Sequence, residues 1–260
     1  MALCPPKEGW VRWTLARLQQ WVEQTFGLRC SKETLRRALK RLNFSWKKAR
    51  KLLALASTPA RQNFLRDLQG LLTQAQQGRI LLVLCDEAHV HLDADLGYGW
   101  GQRGLPFWVH SCSPGLQKTS FYGLYLYNYQ AVRIWSYPRA NSEHTLDVLT
   151  RLRQQFPEPP IVMVWDGASY HRSAAVRDKA AELNITLVPL PAYSPDLMPV
   201  ESLWRWLRQE VTSLHCHYTI DELVDRVADF VWTVNMDPAI LSTRLHIKTH
   251  LDPQEEKLRI

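Results

Sequence analysis

The alternation of apolar and polar positions predicts that the N-terminal part of the chain is helical. Residues 10–24 place apolar side chains at helical spacing, and a second amphipathic helix is predicted from residue 32 to 41 or 42. Gly27 lies in the turn between them, and Ser31 is a favourable N-cap for the second helix. A helix, a glycine-containing turn and a second helix together indicate a helix-turn-helix motif. The apolar face of the second helix, which should pack in a core, comprises Leu35, Leu39 and Leu42.

After this N-terminal part, the pattern predicts one long helix followed by strands. The helix should run from Thr58, as N-cap, to about Gln77. Apolar runs rich in Tyr, Trp and β-branched residues then favour strands. The predicted strands are residues 80–86, 98–103, 119–128, 131–136, 161–165 and 185–188. The first four should form an antiparallel meander. Further helices are predicted to begin near Ser142, Ser173, Pro199 and Thr219.

This order of elements predicts two domains. Residues 1–54 would form a small all-α helix-turn-helix domain with a basic linker. Residues 55–260 would form an α/β domain whose mixed sheet is flanked by helices. A chain of 260 residues is long enough to bury a core of this size.

Positive charge is concentrated in the predicted first domain. Residues 1–60 hold 13 Lys and Arg against 3 Asp and Glu, although the net charge of the whole chain is only +7. Clustered cations on a helix-turn-helix favour contacts with DNA phosphates and base edges. The alternative is a solvated basic helix and linker. The predicted DNA-binding residues are Lys32, Arg36, Arg37, Lys40, Arg41, Lys47, Lys48, Arg50 and Lys51.

Three carboxylates occur where the α/β domain could bring them together. Asp86 and Asp166 each follow a buried strand, and sites in open α/β sheets lie at strand ends. Glu201 is in the first turn of the helix that begins at Pro199, where the helix dipole favours a carboxylate. A lone aspartate after a strand is more often a turn or capping residue, but three acids in this order predict a common site. Glu87 should point to the opposite face of its strand from Asp86.

Carboxylate oxygens suit Mg²⁺ or Mn²⁺ better than zinc. Two such ions about 3.5–4 Å apart could activate a nucleophile and stabilise a leaving oxygen in phosphodiester chemistry. We therefore predict that Asp86, Asp166 and Glu201 are catalytic and bind two Mg²⁺ or Mn²⁺ ions.

Three motifs carry a resemblance to a known family. They are Cys85-Asp86-Glu87, Trp165-Asp166-Gly167-Ala168-Ser169-Tyr170-His171 and the segment from Tyr193 to Trp204. Between the second and third acids lie 34 residues, and between the first and second lie 79. Over essentially its whole length, the chain resembles the DDE transposases of the insertion sequence 630 and mariner superfamily. Met198 and Gly167 stand where that family often has asparagine.

The resemblance implies a ribonuclease H-like catalytic domain and the activity of a DNA transposase. It further implies cut-and-paste movement, insertion at TA dinucleotides and work as a homodimer or higher oligomer. The DNA partners would be the terminal inverted repeats of the element and the target. His171 matches a frequent histidine of the family motif, so we predict that it is an auxiliary residue that contacts a phosphate or tunes a ligand. Family members often carry two helix-turn-helix units, which leaves a missing upstream segment as an open alternative.

Two other functions remain open at this point. A ribonuclease H-like endonuclease would cut DNA but never join ends. An inactive transposase-derived repressor would bind DNA without chemistry. The three intact acids argue against the repressor.

Further patterns bear on location and on other metals. No apolar run is long enough to span a bilayer and no secretory signal is evident, so a cytoplasmic, nucleoid-associated protein is predicted. The five cysteines are odd in number and lack CxxC spacing, so they are predicted to be reduced. His215 and His217 flank Cys216, but they are predicted to diverge rather than share a zinc ion.

Overall fold

The computed structural model describes residues 13–46, 56–111, 117–168 and 170–251. The chain forms two compact units, Met1–Lys51 and Leu52–Ile260. The division falls close to the boundary after residue 54 that we predict, and the assignment of a function to each unit stays a prediction.

The first unit contains the two predicted helices, α1 (Leu15–Phe26) and α2 (Lys32–Arg41). Thr14 and Ser31 cap their N-termini through side-chain oxygens, as such residues favour. Gly27 ends α1 with a φ of 66°, a conformation that costs glycine little. The expectation that Leu42 packs in a core is wrong, because 68% of this residue is exposed.

The second unit is built from a five-stranded sheet and six further helices among its described residues. The strands are β1 (Leu81–His91), β2 (Lys118–Leu126), β3 (Ala131–Tyr137), β4 (Ile161–Trp165) and β5 (Ile185–Pro189). The helices are α3 (Thr58–Gln76), α4 (Ser142–Gln155), α5 (Ala174–Glu182), α6 (Val200–Leu207), α7 (Ile220–Asn235) and α8 (Pro238–Arg244). A π-helical segment, Arg208–Thr212, follows α6 directly.

The sheet has the strand order β3-β2-β1-β4-β5, so β1 is the central strand. β1, β2 and β3 pair as an antiparallel meander, and β4 and β5 run parallel to β1. Parallel strands need crossover connections, which α4 and α5 supply. This arrangement confirms the predicted mixed sheet.

Helices cover both faces of the sheet because its strands alternate apolar side chains between two cores. Leu82 and Leu84 of β1 face the core formed with α3, α6, α7 and α8. Leu81, Val83 and Cys85 face the core formed with α4 and α5. Burial on both faces explains why the first half of β1 is a continuous apolar run.

Several predicted elements differ in the structure. Residues 98–103 form no strand, and Tyr98 and Trp100 are fully exposed. β1 continues beyond Asp86 because its pairing with β2 extends to His91. The N-caps of α3 and α4 are Ser57 and Asn141, each one residue before the predicted position.

Two further observations concern location and cysteines. Among the residues that the structure describes, no helix is long and apolar enough to cross a membrane. Cys30 and Cys85 are free thiols. Cys216 is disulfide-bonded, which corrects the prediction of a reduced thiol at this position.

Candidate active site

The sheet brings Asp86 and Asp166 to neighbouring positions on adjacent strands. In the parallel pairing, Leu81 lies opposite Ile161 and Leu84 opposite Val164. The same register, carried two residues on, sets Asp86 against Asp166. Even-numbered residues of both strands face the core with α6. Asp166 follows β4 directly, and its carboxylate lies within 4.8 Å of the ligand atoms of Glu87 and His171.

Asp86 is held from the side by an aromatic residue. The indole Nε1–H of Trp204, on α6, donates a hydrogen bond of 3.0 Å to Asp86 Oδ2. Trp204 reaches this position because Gly123, opposite Asp86 on β2, has no side chain. A Cβ at Gly123 would lie 2.5 Å from Cζ2 of the indole. Trp204 is therefore both a core residue and a partner of the acid.

The surroundings of Asp86 disfavour its negative charge. Its pKa is raised to about 7, mainly by burial and also by the charges of Glu201, Glu87 and Asp166, although the hydrogen bond from Trp204 lowers it. The charge of Glu201 thus acts on Asp86, and a common site of the three acids stays a prediction. A cation would relieve this repulsion, and the donor set is all oxygen, so the acids fit a hard divalent ion.

Asp166 is held differently, by His171. The Nδ1 of His171 lies 2.9 Å from Asp166 Oδ1, and its Nε2 lies 2.9 Å from Glu87 Oε1. The histidine is buried and its ring stacks on Trp165 at a centroid distance of 4.1 Å. Glu87 points away from the Asp86 face, as predicted, and its side chain is only 6% exposed.

His171 carries a positive charge at neutral pH. Burial disfavours that charge, but hydrogen bonds to Asp166 and Glu87 outweigh it and raise the pKa of His171 to about 9. The hydrogen bond from His171 in turn lowers the pKa of Asp166, helped by the backbone N–H of Ala168. Because both ring nitrogens of His171 donate to carboxylates, it positions Asp166 and Glu87 instead of offering a lone pair to a metal.

Glu201 lies in the first turn of α6, and the segment before it is anchored from two sides. Asp196 accepts hydrogen bonds of 3.1 and 2.8 Å from the guanidinium of Arg61 on α3. Lys248 Nζ lies 2.8 Å from the same carboxylate. Burial opposes ionisation of Asp196, but these two cations outweigh it and lower its pKa. Residues 195–197 of this segment form a 3₁₀ turn.

The predicted DNA-binding residues of α2 lie on its exposed surface. Two of them, Arg36 and Arg37, form ion pairs with Glu33 of the same helix. Exposed pairs of this kind are weak, so they leave both guanidiniums available to a phosphate. Lys47, Lys48, Arg50 and Lys51 lie outside the described residues.

Sequence reasoning did not find two supports of the site. Gly123 had a detectable signal, because a lone glycine inside a strand often marks close approach of another group. The Arg61–Asp196 pair had none, since 135 residues separate the partners.

The prediction that the side chains of His215 and His217 diverge is also wrong. Their rings lie together, with centroids 4.8 Å apart.

Comparison with known proteins gives matches for both parts of the chain. Residues 81–224 match a family model described as DDE superfamily endonuclease. Residues 10–68 match one described as winged helix-turn helix. A search of curated proteins found no match.

Solved structures similar to the chain include three Mos1 complexes. The Mos1 transposase paired-end complex with left transposon end is 17% identical, with a TM-score of 0.63 over 90% of this chain and 75% of that one. The Mos1 strand transfer complex is 16% identical, with a TM-score of 0.63 over 95% and 77%. The mariner Mos1 paired end complex with Mg is 18% identical, with a TM-score of 0.60 over 98% and 79%. This likeness confirms the predicted ribonuclease H-like fold.

Proposed function

Because the chain belongs to the DDE superfamily endonucleases, the family that its motifs predict, we propose that it is a DNA transposase. It would bind the ends of an insertion element, cut the DNA there and join the released ends to a target. The observations that support this proposal are the parallel pairing of β1 with β4, which brings Asp86 near the residue that follows β4, Asp166, and the effect of the Glu201 charge on the pKa of Asp86.

Asp86, Asp166 and Glu201 would hold the divalent ions. Mg²⁺ or Mn²⁺, two ions in our proposal, would supply an activated nucleophile and charge stabilisation of the leaving oxygen. Similar structures include a Mos1 paired end complex with Mg and another with Mn, which supports a divalent cation in this fold. Ligation would require ionised Asp86, so the ions and the proton on this carboxylate compete.

The residues around the acids would keep them in place during phosphoryl transfer. Trp204 orients Asp86 through its hydrogen bond, and His171 orients Asp166. Positioning and charge stabilisation account for most catalysis in reactions of this class. Water would attack first to release a 3′-OH, and that 3′-OH would then attack the target strand.

The first unit would bind the terminal inverted repeats. Lys32, Lys40 and Arg41 on α2, with Arg36 and Arg37, would contact phosphates and base edges. Similar structures of Mos1 include a paired-end complex and a strand transfer complex, so we propose that two copies of this chain act together on two ends. Insertion at TA dinucleotides and work in the cytoplasm at the nucleoid belong to the same proposal.

Cleavage and joining of labelled DNA that carries the element's own ends would test the function. The assay would contain Mg²⁺ or Mn²⁺ and would compare the wild type, Asp166→Ala and the control Asp178→Ala, whose carboxylate is exposed on α5. We expect cutting and joining by the wild type and by the control only. Cutting without joining would establish a nuclease instead, and DNA binding without metal-dependent chemistry would establish a repressor.

A further inference from the structure

One group of potential metal ligands contains none of the three acids. It consists of His215, His217 and Glu222, and their ligand atoms all lie within 4.8 Å of one another. Glu222 Oε1 is 3.8 Å from Nε2 of His215 and 3.7 Å from Nδ1 of His217. None of the three residues has a part in the proposed phosphoryl transfer.

The backbone that carries the two histidines is fixed by β1 and its continuation. The N–H of His217 donates to the carbonyl oxygen of Leu92 at 2.8 Å. The N–H of Leu214 donates to the carbonyl oxygen of Asp95 at 2.9 Å. These bonds fix the backbone around the two histidines, whose ring centroids lie 4.8 Å apart.

The carboxylate of Glu222 is fixed by the start of α7. Its Oε2 accepts a hydrogen bond of 2.8 Å from the backbone N–H of Tyr218, and its own N–H donates to the N-cap Thr219. This reciprocal capping arrangement leaves Oε1 directed at the histidines.

The tautomer of His217 also suits a ligand. Its Nε2 lies 2.9 Å from the carbonyl oxygen of Val211, which can only accept, so Nε2 carries the proton. In the neutral ring, Nδ1 then bears the lone pair that faces Glu222. A hydrogen bond from the second ring nitrogen to a carbonyl is the usual way in which proteins orient a metal-binding histidine.

We propose that His215, His217 and Glu222 bind one transition-metal ion of the zinc class. Two imidazoles and one carboxylate are ligands that zinc prefers, whereas Mg²⁺ and Ca²⁺ prefer all-oxygen sets. The side chain of His215 is 49% exposed, so solvent can reach the site and a water can complete the coordination. Cys216 contributes no thiolate because it is disulfide-bonded. The ion would tie the loop after the π-helical segment to the start of α7.

Zinc titration of the full chain after chelator treatment would test this site. Excess Mg²⁺ would be present to occupy the carboxylate site, and a chromophoric zinc chelator would compete for the ion. We expect one zinc per chain, and at least about 100-fold weaker binding in His215→Ala, since loss of even an indirect support of a metal costs 10–100-fold. His215 is exposed, so its substitution should leave the fold intact.

Two further variants make the outcome decisive. Glu222→Gln keeps an oxygen for the Tyr218 cap and should also weaken zinc binding. The control His246→Ala removes an exposed histidine outside the group and should bind zinc as the wild type does. Failure of the wild type to bind zinc at micromolar concentration, or equal binding by His215→Ala, would overturn the proposal. Neither result depends on DNA cleavage, so the proposed transposase function is tested separately.

Discussion

Asp86 lies within the central strand β1 and Asp166 directly follows the adjacent strand β4, yet their environments shift their pKa values in opposite directions. Asp86 is buried near three other carboxylates, and its pKa is raised to about 7. Asp166 has a side chain that is 48% exposed and a charged histidine as partner, and its pKa is lowered. One acid is ionised at neutral pH without help, whereas the other is only partly so.

The difference shows that Asp166 is already ionised and able to bind a cation, whereas Asp86 would become fully ionised only when a cation binds. His171 neutralises the negative charge on the side of Glu87 and Asp166, while nothing described beside Asp86 supplies a positive charge. A divalent ion that bound here would therefore gain most from Asp86, and its binding would release a proton from that carboxyl group below about pH 7.

Replacement of either aspartate should cause the largest effect and separate the two environments. Asp86→Asn and Asp166→Asn should each reduce DNA cleavage by about 10³-fold, since each removes a metal ligand that contributes several kcal/mol. Their effects on metal-free stability should have opposite signs. The raised pKa of Asp86 costs stability progressively as pH rises from about 4 to 7. At pH 8 Asp86→Asn should therefore stabilise the fold by about 2 kcal/mol.

The lowered pKa of Asp166 contributes stability above its unfolded value, so Asp166→Asn should destabilise the fold at pH 8. Urea unfolding in the presence of a chelator would measure both changes, with Asp178→Asn as an exposed control. Two destabilising substitutions would contradict the contrast between the acids.

Removal of the histidine should make the two acids more alike. His171→Gln loses the positive charge between Glu87 and Asp166, so cleavage should fall by about 10–100-fold. The protonated ring also stabilises the fold. Its contribution is complete below the unfolded pKa of about 6.5 and is lost as pH rises through about 9. The wild type should thus lose more stability than His171→Gln between pH 7 and 10, and equal losses would exclude a charged His171.

Loss of the indole N–H should widen the contrast. Trp204→Phe keeps an aromatic ring in the core but removes the donor to Asp86, so the pKa of Asp86 should rise further. We expect the midpoint of the pH–cleavage profile to move upward by about one pH unit, with roughly a tenfold loss at pH 7. The control Trp206→Phe, on the same helix, should leave the midpoint unchanged. An unshifted midpoint in Trp204→Phe would mean that the hydrogen bond does not act on Asp86.

Crowding of the same contact should have the smallest effect on activity. Gly123→Ala would place a Cβ against the indole of Trp204, which must move away. Overpacking of this kind costs about 1–3 kcal/mol of stability. We expect a few-fold loss of cleavage and a lower unfolding midpoint. Gly70→Ala, where a Cβ meets no atom within 4 Å, is the matched control.

Local pattern was sufficient for the elements that carry the acids. The apolar runs before Asp86 and Asp166 are buried strands, and a helix begins near Pro199, as predicted. The buried face of this helix comprises Val200, Leu203, Trp204 and Leu207. Each of these elements buries a whole face, so the spacing of its apolar residues shows which side packs against the core. The assignment of catalysis to the acids themselves stays a prediction.

Partners distant in sequence could not be predicted in the same way. β1 continues past Asp86 because β2 pairs with it as far as His91. The local sequence pattern does not indicate this pairing. Residues 98–103 have strand propensity but pair with no strand among the described residues, so propensity alone gave a wrong prediction of a strand there. Glu87 and His171 are 84 residues apart, and their hydrogen bond follows from the pairing of β1 with β4.

The contact between Arg61 and Asp196 has a practical consequence for dividing the protein. The match to a helix-turn-helix model extends to residue 68, which invites a catalytic fragment that begins at Gln69. Such a fragment would cut α3 and discard the guanidinium that holds the segment before Glu201. Inhibitor screening or crystallisation of the catalytic part should therefore use fragments that begin at or before Ser57, the N-cap of α3.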